Sequence, residues 1–192
     1  MTYETWSLFF ALLALACWAG TVAIGLGALV VRSGRGGERL LALRDDIGRA
    51  ALPLGWVVAT VTTLGSLHYS LIEGFEPCTL CWYQRICIYP WSVVLGIAAW
   101  RRDVGVRVYA IPVLVIGAVI AGYHTWIQAY PPEGGTSFCT AAASCTDRYV
   151  WELGFVSLPF MALSACAFMI ALLLVARPAA AEPTPSAPGG TR

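Results

Sequence analysis

The segment Cys78-Thr79-Leu80-Cys81 places two thiols three positions apart, just after Pro77. At the start of a helix that spacing brings the Cα atoms within disulfide reach. The unpaired N–H groups and the dipole of a helix N-terminus also favour a thiolate over a thiol. Arg85 follows Cys81 by four residues and so lies one turn further along the same face. A guanidinium in hydrocarbon is costly enough to imply a functional partner; the alternative is a side chain that snorkels to the surface.

A second pair, Cys139 and Cys145, lies in the long connection 129–153, where Pro131, Pro132, Gly134 and Gly135 predict a mobile loop. Were residues 140–144 helical, the two thiols would stand ~9 Å apart along the axis, beyond bridging distance. A bridge here therefore requires irregular backbone. It is either a structural staple or, exposed on a loop, a labile disulfide of the kind that exchanges with another protein. Cys17, Cys87 and Cys166 fall inside apolar runs and read as small packing residues. His68 and His124 approach the same end of their respective runs, and either fits a hydrogen-bonded histidine between helices. Tyr123, Trp126 and Gln128 surround His124 with aromatic and polar surface, which favours a role beside the Cys78 pair. Interfacial aromatics are also ordinary membrane anchors.

The elements that must carry these residues follow from composition. Charged residues make up 12% of the 192, hydrophobic residues 58%, and mean hydropathy is +0.71; typical soluble chains carry ~25% charge. A soluble globule is excluded. At ~20 apolar residues per crossing, the chain accommodates five spans, read at 6–31, 53–72, 81–100, 104–128 and 155–176. Pro90, Pro112 and Pro159 fall inside three of them and predict kinks near Ile86, Val108 and Phe155 without breaking the spans. The first run has Glu4 before it and Arg32, Arg35 and Arg39 after it, the reverse of a secretory signal, and reads as an uncleaved helix. Cys17 after Leu-Ala-Leu-Ala only faintly echoes a lipoprotein cleavage site. Small residues at Ala16 and Gly20, and at Ala19, Ala23 and Gly27, recur every four positions and predict close packing on another span.

All twelve basic residues are arginines, and ten of them fall in the connections 32–49 and 101–107 and in the tail after residue 176. The excess-positive side is the cytoplasmic one, so the expected topology is a multi-pass cell-membrane protein with its N-terminus outside and its C-terminus in the cytoplasm. Both cysteine pairs then face an extracytoplasmic compartment that lets disulfides persist. A net charge of +1 leaves no basic patch for nucleic acid. The expected organisation is all-α integral membrane: an extra N-terminal transmembrane helix with its cytoplasmic connection (1–51), a four-helix bundle core (52–176), and a disordered Pro/Ala/Gly-rich cytoplasmic tail (177–192).

The run Glu76-Pro77-Cys78-Thr79-Leu80-Cys81-Trp82-Tyr83-Gln84-Arg85-Ile86, followed by Tyr89-Pro90, closely resembles the disulfide bond formation protein B family. Tyr123-His124-Thr125-Trp126-Ile127-Gln128, ahead of a Pro-rich loop with the second cysteine pair, resembles the same family. The short gap between Cys139 and Cys145 is similar to Gram-positive-type members. The resemblance covers roughly residues 50–176 and implies a membrane oxidase that reoxidises an extracytoplasmic thioredoxin-like protein and passes the electrons to the quinone pool, ubiquinone or menaquinone. It implies that Cys139 and Cys145 exchange with the soluble partner and that Cys78 and Cys81 receive the electrons. Cys81 would face the quinone, its thiolate adding to or donating charge into the ring. Arg85 would stabilise negative charge on the quinone oxygen, with His124 and Trp82 at the same site. The extra first helix and the arginine-rich 32–49 connection depart from the family.

Three other readings fit parts of the same pattern. Vitamin K epoxide reductase relatives also carry four cysteines on four helices, but with the loop pair before the Cys-x-x-Cys, the reverse of the order here. A b-type cytochrome with haem between His68 and His124 rests only on their shared depth. A structural zinc site would need both cysteine pairs to converge on one tetrahedral point, and it would leave Arg85 without a task.

Overall fold

The computed structural model describes residues 3–133, 139 and 144–178. Six α-helices account for most of them: α1 (Tyr3–Arg32), α2 (Glu38–Leu71), α3 (Thr79–Ile88), α4 (Trp91–Arg101), α5 (Arg107–Ala129) and α6 (Leu158–Val175), with one 3₁₀ turn at Val104–Val106 before α5. Strand-like pairing among the described residues is limited to an isolated bridge between Glu152 and Val156. Helices α1, α2, α5 and α6 are each long and apolar enough to cross a membrane. Helices α3 and α4 together supply the fifth crossing, so the fold is an all-α membrane bundle.

In lipid the helices are held by close packing rather than by water exclusion, and the core shows how close. Leu95, Leu114, Met169 and Leu173 are fully buried at its centre. Gly117 lets α5 approach Cys87 and Cys166, because a Cβ there would lie 2.9 Å from the Cys87 Cβ and 3.4 Å from the Cys166 Sγ. These two cysteines are buried and free, as packing residues should be. The first span is expected to pack through Ala16, Ala19, Ala23, Gly20 and Gly27, but its buried face is Ser7, Ala11 and Ala14. Of the small-residue stripes only Gly20 meets a neighbour tightly, Phe168 of α6, whereas Ala16, Ala19 and Ala23 are exposed. Buried polar contacts and aromatic shape set this register: the Tyr69 hydroxyl donates to Ser7 Oγ at 3.3 Å, and the Phe10 ring fills the space left by Gly65.

Of the three proline expectations one is corrected, that of Pro159. Pro90 separates α3, which ends at Ile88, from α4, which begins at Trp91, yet Tyr89 and Pro90 keep helical backbone, so the third span is kinked there and not broken. Pro90 has no N–H for the Ile86 carbonyl. The Trp91 indole then turns back to donate to the Cys87 carbonyl at 2.7 Å. Pro159 sits in the first turn of α6, where a missing N–H costs nothing, so it produces no kink. Pro112 lies inside an unbroken α5. The arginine-rich 32–49 connection is largely helical, being the first turns of α2. An Asp45–Arg177 ion pair at 2.6 Å and an Arg177 N–H donated to the Gly48 carbonyl tie it to the end of α6. The expected tail is described only to Pro178; the rest lies outside the described residues.

Candidate active site

The start of α1, the end of α2, the start of α3, the end of α5 and the start of α6 meet at one end of the bundle, hereafter the cysteine end. Cys78 is the N-cap of α3, with extended backbone, and its Sγ accepts the Cys81 N–H at 3.4 Å. The thiol thus occupies the place of an N-capping oxygen. The two sulfurs stand 3.1 Å apart as free thiols. Donation from the Cys81 thiol, aided by His124, outweighs burial and lowers the Cys78 pKa to about 4.

His124, 1% exposed, joins this pair to the loop. The Gln84 amide nitrogen donates to its Nδ1 at 2.9 Å, which leaves the hydrogen on Nε2. Nε2 donates to the Cys145 carbonyl at 3.0 Å and lies 3.8 Å from Cys78 Sγ. Cys139 and Cys145 form a disulfide with Cα atoms 5.8 Å apart. The backbone from Ser144 onward is not a free loop. Gln128 Nε2 donates to the Asp147 carbonyl at 2.7 Å, and Arg148 caps the last carbonyls of α5 while its guanidinium lies 4.0 Å from the Trp151 ring. Cys78, Leu80, Ile127 and Cys145 form one buried cluster, with Cys81 and Cys139 against it. Both expected pairs are therefore brought together; residues 134–138 and 140–143 of the Pro/Gly connection lie outside the described residues.

Beneath the pair is a cavity of about 240 Å³, lined by α1, α2, α3 and α6 and by Phe75 and Tyr149 near the cysteine end. Its polar points include Cys81, Gln84, Arg85, Ser66 and Tyr89. Arg85 donates to Ser66 Oγ and to the Ser66 carbonyl, each at 3.2 Å, and Tyr89 OH donates to the same Oγ at 3.0 Å. The guanidinium has no carboxylate partner among the described residues. Its side chain is held across the bundle against α2, with the Trp82 and Tyr89 rings 5.2 and 5.9 Å away. A largely apolar chamber in which the Arg85 guanidinium has no carboxylate at ion-pair distance, Glu76 being the acidic residue of its lining, fits a lipid-soluble ligand whose polar oxygen gains negative charge. Trp82 is outside the cavity lining, and its exposed indole flanks Arg85. His124 also lies outside it, in a small second space that it shares with Cys78, Cys81 and Gln128. Cys81 borders both spaces.

Sequence reasoning did not single out Gln84, Ser66 or Tyr149. Gln84 was legible as an uncharged polar residue buried in a span next to Arg85; Ser66 carried no signal, because its partner is 19 residues away on another helix. The two histidines do not pair. The His68 ring packs tilted against Trp6, centroids 5.2 Å apart, with Nε2 3.4 Å from Glu73, while both nitrogens of His124 are engaged by Gln84 and the Cys145 carbonyl, which weighs against haem. Cys78, Cys81 and His124 place three donor atoms within 4.8 Å. The Cys139–Cys145 bridge, however, removes two sulfurs from the four-thiolate zinc site.

A helical membrane protein with a disulfide and a dithiol joined by one histidine belongs to the thiol–disulfide oxidoreductases in its chemistry. Residues 48–176 match the family model described as Disulfide bond formation protein DsbB, and the chain belongs to that family. It is 43% identical over 115 residues to "Disulfide bond formation protein C" of Bacillus subtilis, covering 60% of this chain and 83% of that one. It is 39% identical over 127 residues to a "Probable disulfide formation protein" of Coxiella burnetii, covering 66% and 86%. A "Probable disulfide formation protein C" of Bacillus cereus is 40% identical over 133 residues, covering 66% and 96%. No solved structure matches.

Proposed function

We propose that this chain is a thiol:quinone oxidoreductase that reoxidises an extracytoplasmic thioredoxin-like protein. The observation that carries the reading is the position of Cys81, which borders both the His124 space beside the loop disulfide and the cavity holding Arg85. The cysteine end faces outward and the arginine-rich connections face the cytoplasm, in keeping with the positive-inside rule. Residues 52–176 form the redox core, 1–51 an added helix and connection, and 177–192 a cytoplasmic tail.

A thiolate of the reduced partner attacks the Cys139–Cys145 bridge, forming a mixed disulfide and releasing one loop thiolate. The partner's second thiol resolves it, so the partner leaves oxidised and the loop holds two thiols. The loop dithiol then reduces the oxidised form of Cys78 and Cys81 by the same exchange, and its own bridge closes again. Loss of two electrons and two protons from the Cys78–Cys81 dithiol regenerates their disulfide. A quinone in the cavity supplies the two-electron, two-proton acceptor. Cys81, Arg85 and Ser66 would hold its ring, with Tyr89 fixing Ser66. His124 orients the Cys145 backbone over Cys78 and favours the Cys78 thiolate for exchange. Gln84 fixes the tautomer that lets it do so.

The test mixes purified protein, a reduced thioredoxin-like partner and a soluble quinone analogue without oxygen, following thiol loss and quinol formation together. Stoichiometric loss of two thiols per quinol is expected. Thiol loss independent of quinone would refute the reading.

A further inference from the structure

Helix α1 lies outside the family match at residues 48–176, yet it forms part of the cavity wall. Phe10, Leu13, Ala14 and Cys17 all line the chamber, opposite α2 residues from Val57 to Ser70. The helix is seated: Ser7 is fully buried under the Tyr69 hydroxyl, Tyr3 OH donates to the Tyr149 carbonyl, and Gly65 and Gly20 admit Phe10 and Phe168 at distances no Cβ would permit. Depth along the bundle can be read from these contacts. Phe10 meets Gly65, next to Ser66, which holds Arg85. Cys17 is seven residues further along α1, about 10 Å deeper, on the way to Val57 and Val58. The α2 lining itself runs about 20 Å. The chamber is thus long, with its polar groups toward the cysteine end and an apolar lower part.

We propose that α1 is the wall of a tail channel. With the ring of a lipid quinone at Cys81 and Arg85, the first isoprenoid units run down between α1 and α2, and Leu13 and Cys17 determine which tails are accepted. The inference rests on the quinone reading above.

Two ring-substituted probes that cannot arylate thiols separate ring from tail: duroquinone, which has none, and decylubiquinone, which has one. In the full-length protein, decylubiquinone is expected to protect Cys17 from N-ethylmaleimide, read by mass spectrometry of its peptide, while duroquinone is not. Cys17→Trp, by overfilling the lower channel, is expected to raise the KM for decylubiquinone about tenfold and to change that for duroquinone less than about twofold. Reduction of decylubiquinone with no Cys17 protection, or an equal effect of Cys17→Trp on both probes, would overturn the tail channel and leave the quinone reading standing. Failure of the wild-type protein to reduce either probe would overturn both.

Discussion

At the residue scale the chemistry turns on two groups that the sequence showed and the structure partnered. Cys78 was legible as a thiol at a helix start, and it caps α3 as that position requires. Its acidity owes more to the Cys81 thiol and His124 than to Arg85, and His124 is 46 positions away, so no spacing rule could pair them. A lowered pKa keeps the charged form at lower pH. Thiolate absorbance at 240 nm attributable to Cys78 should therefore persist through neutrality and disappear near pH 4. In Cys81→Ala the loss should move upward by the larger step, and in His124→Phe by a smaller one. Arg85 was legible as a cation one turn from Cys81, but its anchor, Ser66, was not. A charged hydrogen bond contributes about 1.5 to 3 kcal/mol, so Arg85→Gln should slow quinone reduction roughly ten- to a hundredfold while partner exchange continues. Stopped-flow records of the two half-reactions would measure both. Lysine, lacking the planar fork, should rescue only in part.

At the element scale, apolar runs located every span, because length and hydropathy are local properties. Packing faces were less legible. The small-residue stripe in α1 points mostly at lipid, and the seated face was chosen by Ser7 and Phe10, whose partners lie on α2. Pro90 showed that α3 could not run smoothly into α4, though not that the Trp91 indole would take up the Cys87 carbonyl. Pro159 was misplaced because the turn before it, with Leu153 and Gly154 in left-handed backbone, ends the connection only at Ser157. The contact of α5 on α3 and α6 at Gly117 gives a stability prediction. Gly117→Leu forces carbon against Cys87 and should cost about 1 to 3 kcal/mol, seen as a lower unfolding midpoint in detergent. Cys87→Ala and Cys166→Ala should leave turnover near wild type.

For the whole molecule, the bundle does two things at its cysteine end: it pins one disulfide against one dithiol through His124, and it opens the dithiol's deeper thiol onto an apolar chamber. The order of the pairs and their shared end were legible from span count and arginine distribution. The chamber was not, since it is built from four helices that only packing brings together. A membrane-impermeant maleimide applied to intact, reduced cells should label the loop pair at Cys139, its partly exposed member, rather than at the buried Cys145. Labelling only after permeabilisation would place the cysteine end on the wrong side. The relay itself is tested most directly by a single turnover. The variant Cys139→Ser/Cys145→Ser, reduced at Cys78 and Cys81, is mixed anaerobically with decylubiquinone and quinol formation is followed. One quinol per protein and a new Cys78–Cys81 disulfide are expected, both abolished when Cys81→Ser is added; quinol formation that survives Cys81→Ser, or none in the loop variant, would contradict the relay.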